Sequence, residues 1–200
     1  MAPKISSQAK EEKKIAILKA ALECFSQKGY HATSVDDVVN YTNLSKGSIY
    51  NYFSSKEEMF ISLITRQTEE TMHKLQNALQ ELQSPTEKLK YLVNLDIPFR
   101  ENKRKMMRVM IEFWTYSADN EQTKDIMVKR FQKVIDLTKG IFEEGKTKGE
   151  FRKDLDAEVA ASMYWGLHDG IWVHSLVLDD PKLVERKIKE LEETIMRYVK

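Results

Sequence analysis

Apolar positions recur every three or four residues along most of the chain, the period of one face of a helix. Residues 8–28 carry Ile15, Leu18, Leu22 and Phe25 in this register, and Gly29 follows as a stop. Thr33 or Ser34 caps a short second helix with Asp36 and Asp37 in its first turn and Val35, Val38 and Val39 as its apolar face. Thr42 and Asn43 make the next turn, with Asn43 suited to a left-handed backbone. Ser55 and Glu58 have capping-box spacing and open a long helix over residues 56–82. At 1.5 Å per residue it spans about 40 Å. Ser84-Pro85-Thr86-Glu87 starts another helix, bearing Leu89, Leu92, Val93 and Ile97 and interrupted at Pro98. Residues 103–116 hold large apolar groups. Asp119 caps a helix that Gly145 and Gly149 break, Asp156 caps residues 157–178, and Asp180-Pro181 opens the last helix. No alternating run long enough to demand a sheet appears, and no internal repeat. The expected fold is all-α, with about nine helices.

One stretch departs from the core-helix pattern. Residues 43–53 read NLSKGSIYNYF. Ser45 is an N-cap candidate. Only Leu44, Ile49 and Phe53 are fully apolar, enough to pin one side of a two-turn helix. The other side carries an ammonium, hydroxyls, an amide and a glycine that admits close approach of backbone to a ligand. So short a helix gains little from its own packing. The combination suits a helix laid into a DNA groove, where Lys, Ser and Asn reach base edges or phosphates and tyrosine hydroxyls reach phosphate oxygens. A short helix, a turn and this segment form the outline of a helix-turn-helix, in which the second helix enters the major groove.

Composition changes this picture little. The net charge of +1 does not by itself point to nucleic acid. The first 56 residues hold eight Lys against five Asp or Glu, a net of +3, leaving −2 for the rest. A weakly basic head is compatible with DNA. The single cysteine, Cys24, excludes an internal disulfide and a multi-cysteine metal site, and reads as core filler. No apolar run approaches a membrane span, and residues 1–14 lack the apolar core of a secretory signal. The expected location is the cytoplasm, with no membrane partner. Residues 1–7 read as a frayed arm.

The stretch TSVDDVVNYTNLSKGSIYNYFSSKEEMF resembles the DNA-binding head of the TetR family of bacterial transcriptional regulators. Thr33-Ser34-Val35, Ser45-Lys46-Gly47, Ile49-Tyr50-x-Tyr52-Phe53 and Lys56-Glu57 match in order and spacing. The resemblance is close over about residues 8–65 and architectural beyond. Thr42-Asn43 stands where the family usually has a small Ala-Gly pair, and Tyr52 where many members have His. The resemblance implies a three-helix head, residues 1–54, joined by a long helix to a ligand-binding and dimerisation domain, residues 55–200. It implies a homodimer on a near-palindromic duplex operator, repressing nearby genes until a small ligand releases it. Lys46, Gly47, Ser48 and Asn51 would face bases or adjacent phosphates. Ser34, Ser45, Tyr50, Tyr52 and Lys56 would hold phosphates. The alternative is a ligand-responsive activator of the same family.

In the body, the helix after Asp156 combines small residues (Ala157, Ala160, Ala161, Ser162, Gly166, Gly170) with Tyr164, Trp165, His168, Trp172 and His174. The small groups let another helix come close. This helix and the last one, paired with their copies, would bury a four-helix interface. Methionines and aromatics border an expected apolar cavity lined by Met110, Phe113, Trp114, Tyr164, Trp165 and His168, suited to a lipophilic or aromatic effector, including an acyl chain. Few charges lie among them, which argues against a highly charged ligand. Such groups at helical spacing also serve as plain core.

Two other functional classes fit the sequence less well. His168-Asp169 with His174 could suggest acid–base or metal chemistry, but residues six apart lie on nearly opposite helix faces. No zinc-protease motif, nucleophile elbow or Gly-rich phosphate loop appears. No enzyme, cofactor or metal is therefore expected. A helical adaptor binding only protein has no reason to display Lys46, Gly47, Tyr50 and Tyr52 in this order.

Overall fold

A computed structural model describes residues 7–95, 101–178 and 180–200. The described residues are all-helical, in nine helices: α1 (Ser7–Lys28), α2 (Val35–Asn40), α3 (Lys46–Tyr50), α4 (Lys56–Gln80), α5 (Pro85–Asn94), α6 (Glu101–Ala118), α7 (Glu121–Lys148), α8 (Ala157–Val177) and α9 (Pro181–Val199). The expected arm is described only from Ser7, and Ile97 and Pro98 lie outside the described residues. The chain divides into two compact units. One comprises Met1–Thr68 and Lys105–Lys124, the other Glu69–Arg104 and Asp125–Lys200. This division differs from the expected boundary after residue 54, because part of α4 and most of α6 pack with the N-terminal helices.

In the first unit the core centres on Phe60. Its ring stacks on Tyr30 at 4.3 Å and meets Phe25 at 5.2 Å and Phe113 at 5.0 Å. Around it, Ile17, Leu18, Ala21, Val38, Ile49, Phe53, Met59 and Ile64 are buried. The α1 stripe is shifted from the expected one. Ile15 and Leu22 are only half-buried, whereas Ile17, Ala20, Ala21 and Cys24 face inward. Cys24 is core filler, and burial, the largest cause, pushes its thiol pKa up.

Gly29 ends α1 at φ +82°, donating its N–H to Phe25 O. A Cβ there would also come within 2.7 Å of the Glu112 carboxylate, which accepts the Tyr30 N–H at 2.7 Å. Glycine at this position thus serves both the turn and a contact from α6.

The second unit packs the C-terminal part of α4 with α5, α7, α8 and α9 around Leu75, Leu89, Phe142, Phe151, Ala160, Tyr164, Leu191 and Ile195. Its caps largely follow the sequence. Ser84 and Glu87 form a capping box, and Asp156 and Asp180 accept first-turn N–H groups. Three local expectations need correction. The cap of α7 is Asn120, which accepts the Thr123 N–H at 3.1 Å, rather than Asp119. Ser55 caps α4 through Glu58 N–H, but the Glu58 carboxylate reaches back to Ser54 N–H and hydroxyl, one residue early. Gly145 does not break α7. It lies inside the helix, and the break comes at Gly149, with φ +72°.

The reason for Gly145 is packing. A Cβ there would sit 2.0 Å from the Phe151 ring. Gly140, on the same helix, has open space at its Cβ position. Gly145→Ala should therefore destabilise the protein by about 1–3 kcal/mol through overpacking, although helix propensity alone favours alanine by roughly 1 kcal/mol. Gly140→Ala should be neutral or stabilising. Thermal denaturation of the two variants checks the contrast, and equal melting temperatures would refute it.

Candidate functional site

The turn between α2 and α3 is built by Thr42. Its N–H and its hydroxyl both donate to Val39 O, at 2.9 and 3.1 Å, and the hydroxyl accepts the Leu44 N–H at 3.3 Å. Asn43 has no positive φ, contrary to expectation. A hydroxyl turn replaces the left-handed one. Ser45 then caps α3, accepting the Ser48 N–H at 3.2 Å.

Burial divides the segment into two faces. Ile49 is 0 % and Phe53 1 % exposed. Leu44, the third expected anchor, is only half-buried. Lys46, Gly47, Tyr50 and Asn51 are exposed, while Ser48 and Tyr52 are half-buried. A Cβ at Gly47 would meet nothing within 4 Å, so the start of α3 is open to close approach. One short helix thus presents an ammonium, a bare backbone, a phenol and an amide together to water.

The remaining expected contacts sit around it with prior commitments. Ser34 is exposed but forms a complete capping box with Asp37 at the start of α2. Lys28, followed by Ser34, holds the Asp37 carboxyl well below the usual carboxylate range. A depressed folded-state pKa means its stabilisation is present above the ordinary carboxylate pKa and is lost only as pH falls through the lowered one.

Lys46 is paired with Asp36 of α2 at 2.8 Å, both side chains more than half exposed. The hydrogen bond that Lys46 donates to the Asp36 carboxylate raises the Lys46 pKa. An ion pair this exposed adds little stability. Its effect is to place a carboxylate beside the one lysine of α3.

Lys56 is committed differently. Its ammonium donates to Tyr30 O at 2.7 Å, Thr33 O at 2.8 Å and His31 O at 3.2 Å. It also lies 4.5 Å over the Tyr30 ring. Burial pulls its pKa down. All three ammonium protons bind the connector between α1 and α2. Lys56 here braces the head, and only Lys46 of the two expected lysines faces outward. Tyr41, at the end of α2, is 52 % exposed and its hydroxyl donates to Gln27.

The six expected effector-site residues fall three in each unit. In the first unit Met110 and Phe113 are buried, Phe113 edge-on to Phe60, and Trp114 is half-buried. In the second unit Tyr164 is fully buried. The Trp165 indole donates to Val134 O and the Thr138 hydroxyl of α7, at 3.1 and 2.9 Å. His168 lies between Asp169, at 3.2 Å, and the Trp172 indole, at 3.1 Å. Among the described residues no group of three His, Cys, Asp or Glu is placed to hold a metal, and no helix is long and apolar enough to cross a membrane.

The family description "Bacterial regulatory proteins, tetR family" matches residues 17–63, and "BetI-type transcriptional repressor, C-terminal" matches residues 85–200. This protein belongs to the TetR family of transcriptional regulators. The chain is 28 % identical to the uncharacterized HTH-type transcriptional regulator YfiR of Bacillus subtilis (strain 168), over 100 % of this chain and 96 % of that one. It is 26 % identical to the fatty acid metabolism regulator protein of the same organism, over 86 % and 88 %. A fatty acid degradation regulator from Bacillus halodurans shares its fold with a TM-score of 0.82 at 25 % identity, covering 92 % of this chain and 94 % of that one. A regulator from Saccharomonospora viridis, solved with choline, has a TM-score of 0.86 at 23 % identity, covering 94 % and 98 %. This TetR-family regulator is not an enzyme.

Because Asp36 pairs with Lys46, Asp36→Asn should tighten binding of this regulator to duplex DNA, most strongly at low salt. Fluorescence anisotropy titrations at two salt concentrations check this. Unchanged or weaker binding would show that Asp36 lies away from the DNA.

Proposed function

We propose that this TetR-family regulator is a cytoplasmic repressor that binds a near-palindromic operator as a homodimer and is released by a small lipophilic or aromatic effector. The observation that carries the DNA reading is the two-faced α3. Ile49 and Phe53 fix it to the core, and Lys46, Gly47, Tyr50 and Asn51 are left in water. Ser48 and Asn51 serve base edges, and Tyr50, Tyr52 and the caps Ser34 and Ser45 serve phosphates.

The dimer reading rests on α8. Val159, Met163 and Leu167, four residues apart, are each 48 % exposed. Ser162, Gly166 and Gly170 lie beside them, and a Cβ at either glycine would meet open space. An apolar stripe flanked by small residues allows close approach of an identical helix across a two-fold axis. The effector reading rests on the aromatic residues of α8 and on the fatty acid regulators among the relatives.

Selection of bound sequences from random duplexes should return a near-palindrome. Asn51→Ala should then cost roughly 1–3 kcal/mol on that operator and relax one base position, while Lys46→Ala should weaken binding to every duplex and lower the salt slope by about 1. Protein that captures no duplex at low ionic strength would overturn the DNA reading.

A further inference from the structure

One cation of the second unit is used by neither the DNA-binding nor the dimer reading. Arg130 lies on α7, one turn before Val134, and Val134 O and the Thr138 hydroxyl accept the indole N–H of Trp165 on α8. One turn further along α8 stands Asp169, the acid that acts on Arg130. The pairings 138 and 134 with 165, then 130 with 169, run along one antiparallel seam. On it, Arg130 Nε is buried with no hydrogen-bond acceptor. Burial is the largest influence on this guanidinium, with Asp169 opposing it. Arginine keeps its charge nonetheless, and a buried charged donor without an acceptor is costly.

Asp169 already has a donor. Trp172 Nε1 can only donate, and it reaches His168 Nε2 at 3.1 Å. His168 Nε2 therefore accepts, and its ring proton sits on Nδ1. That N–H donates to Asp169 Oδ1 at 3.2 Å. The relay Trp172, His168, Asp169 is complete without Arg130, whose Nε is the donor left over. The His168 and Asp169 side chains are 13 % and 24 % exposed, so the rim of the seam is open to solute.

We propose that Arg130 anchors the charged end of the effector, and that the effector is an amphipathic monocarboxylate whose apolar part meets the aromatic residues of α8. This rests on the effector reading above and narrows its chemistry. The planar guanidinium fork matches a carboxylate. A single cation facing one acid suits one negative charge. A doubly charged phosphate would meet stronger repulsion from Asp169.

The test titrates the purified full chain by calorimetry with two matched pairs, decanoate with decanol and 1-naphthoate with 1-naphthalenemethanol. In at least one pair the acid should bind on the order of tenfold more tightly than the alcohol. Arg130→Met should erase that preference by weakening the acid and leaving the alcohol unchanged. Should that variant fail to fold, Asp169→Asn reads the same question, because removing the opposing acid should tighten the carboxylate alone. Equal binding of acid and alcohol by the natural chain, a preference that survives Arg130→Met, or an Asp169→Asn variant that binds the carboxylate no more tightly, overturns the anchor and leaves the effector reading intact. No binding of any of the four compounds overturns both.

Discussion

A five-residue helix does not hold itself together in water, because nucleation fixes several dihedrals before the first hydrogen bond forms. Helix α3 has that length, and α2 has only six residues. Both persist because apolar anchors tie them to a core they do not own. Ile49, Phe53 and Val38 are buried, and the core behind them is organised by Phe60 on α4, with Tyr30, Phe25 and Phe113 against it. The polar face of α3 is thereby positioned by apolar groups on its other side, with the exposed Lys46–Asp36 pair adding little. That separation of anchoring from display leaves the outward residues free of any part in the apolar core.

The connector between α1 and α2 faces a related difficulty. Its carbonyls have no helical partners, and exposed loops of this kind are mobile unless tied down. Lys56 takes three of them, and Glu112 of α6 takes the Tyr30 N–H. Tyr116, also on α6, donates to Glu57 at the start of α4. The first turn of α4 and the length of α6 thus hold the head from two directions. A displacement of α6 would be felt at Tyr30 and at Glu57, hence at the connector that positions α2.

Much of this was legible in the sequence, and what was not shares a cause. Helix order, most caps and the two-faced α3 follow from local chemistry, since Ser84, Asp156, Asp180 and Ser45 act within four residues of themselves. The misread features depend on partners far along the chain. Gly145 looked like a helix breaker because nothing local shows that the Phe151 ring lies on it. Gly29 looked like a plain stop, though it also admits Glu112 from 83 residues away. Lys56 sits in the first turn of a helix, which reads as a phosphate site, but its acceptors are backbone atoms more than twenty residues earlier. Asn43 shows a different limit. Two local solutions existed for one turn, and the Thr42 hydroxyl supplied the one without a left-handed residue.

Lys56 and Arg130 are contrasting cases of a desolvated cation. Both cations are shielded from water, and in both burial works against the charge. Desolvation has no direction, so the shift alone cannot distinguish a structural brace from a receptor. The acceptors can. Lys56 has three donors, and each reaches a carbonyl of the connector. Arg130 has a buried donor with no acceptor, and the nearest acid is already held by His168. A fold rarely leaves a charged donor in that condition. On the anchor proposal, the acceptor comes from outside the chain, and a single planar carboxylate is the group that matches the guanidinium beside Asp169.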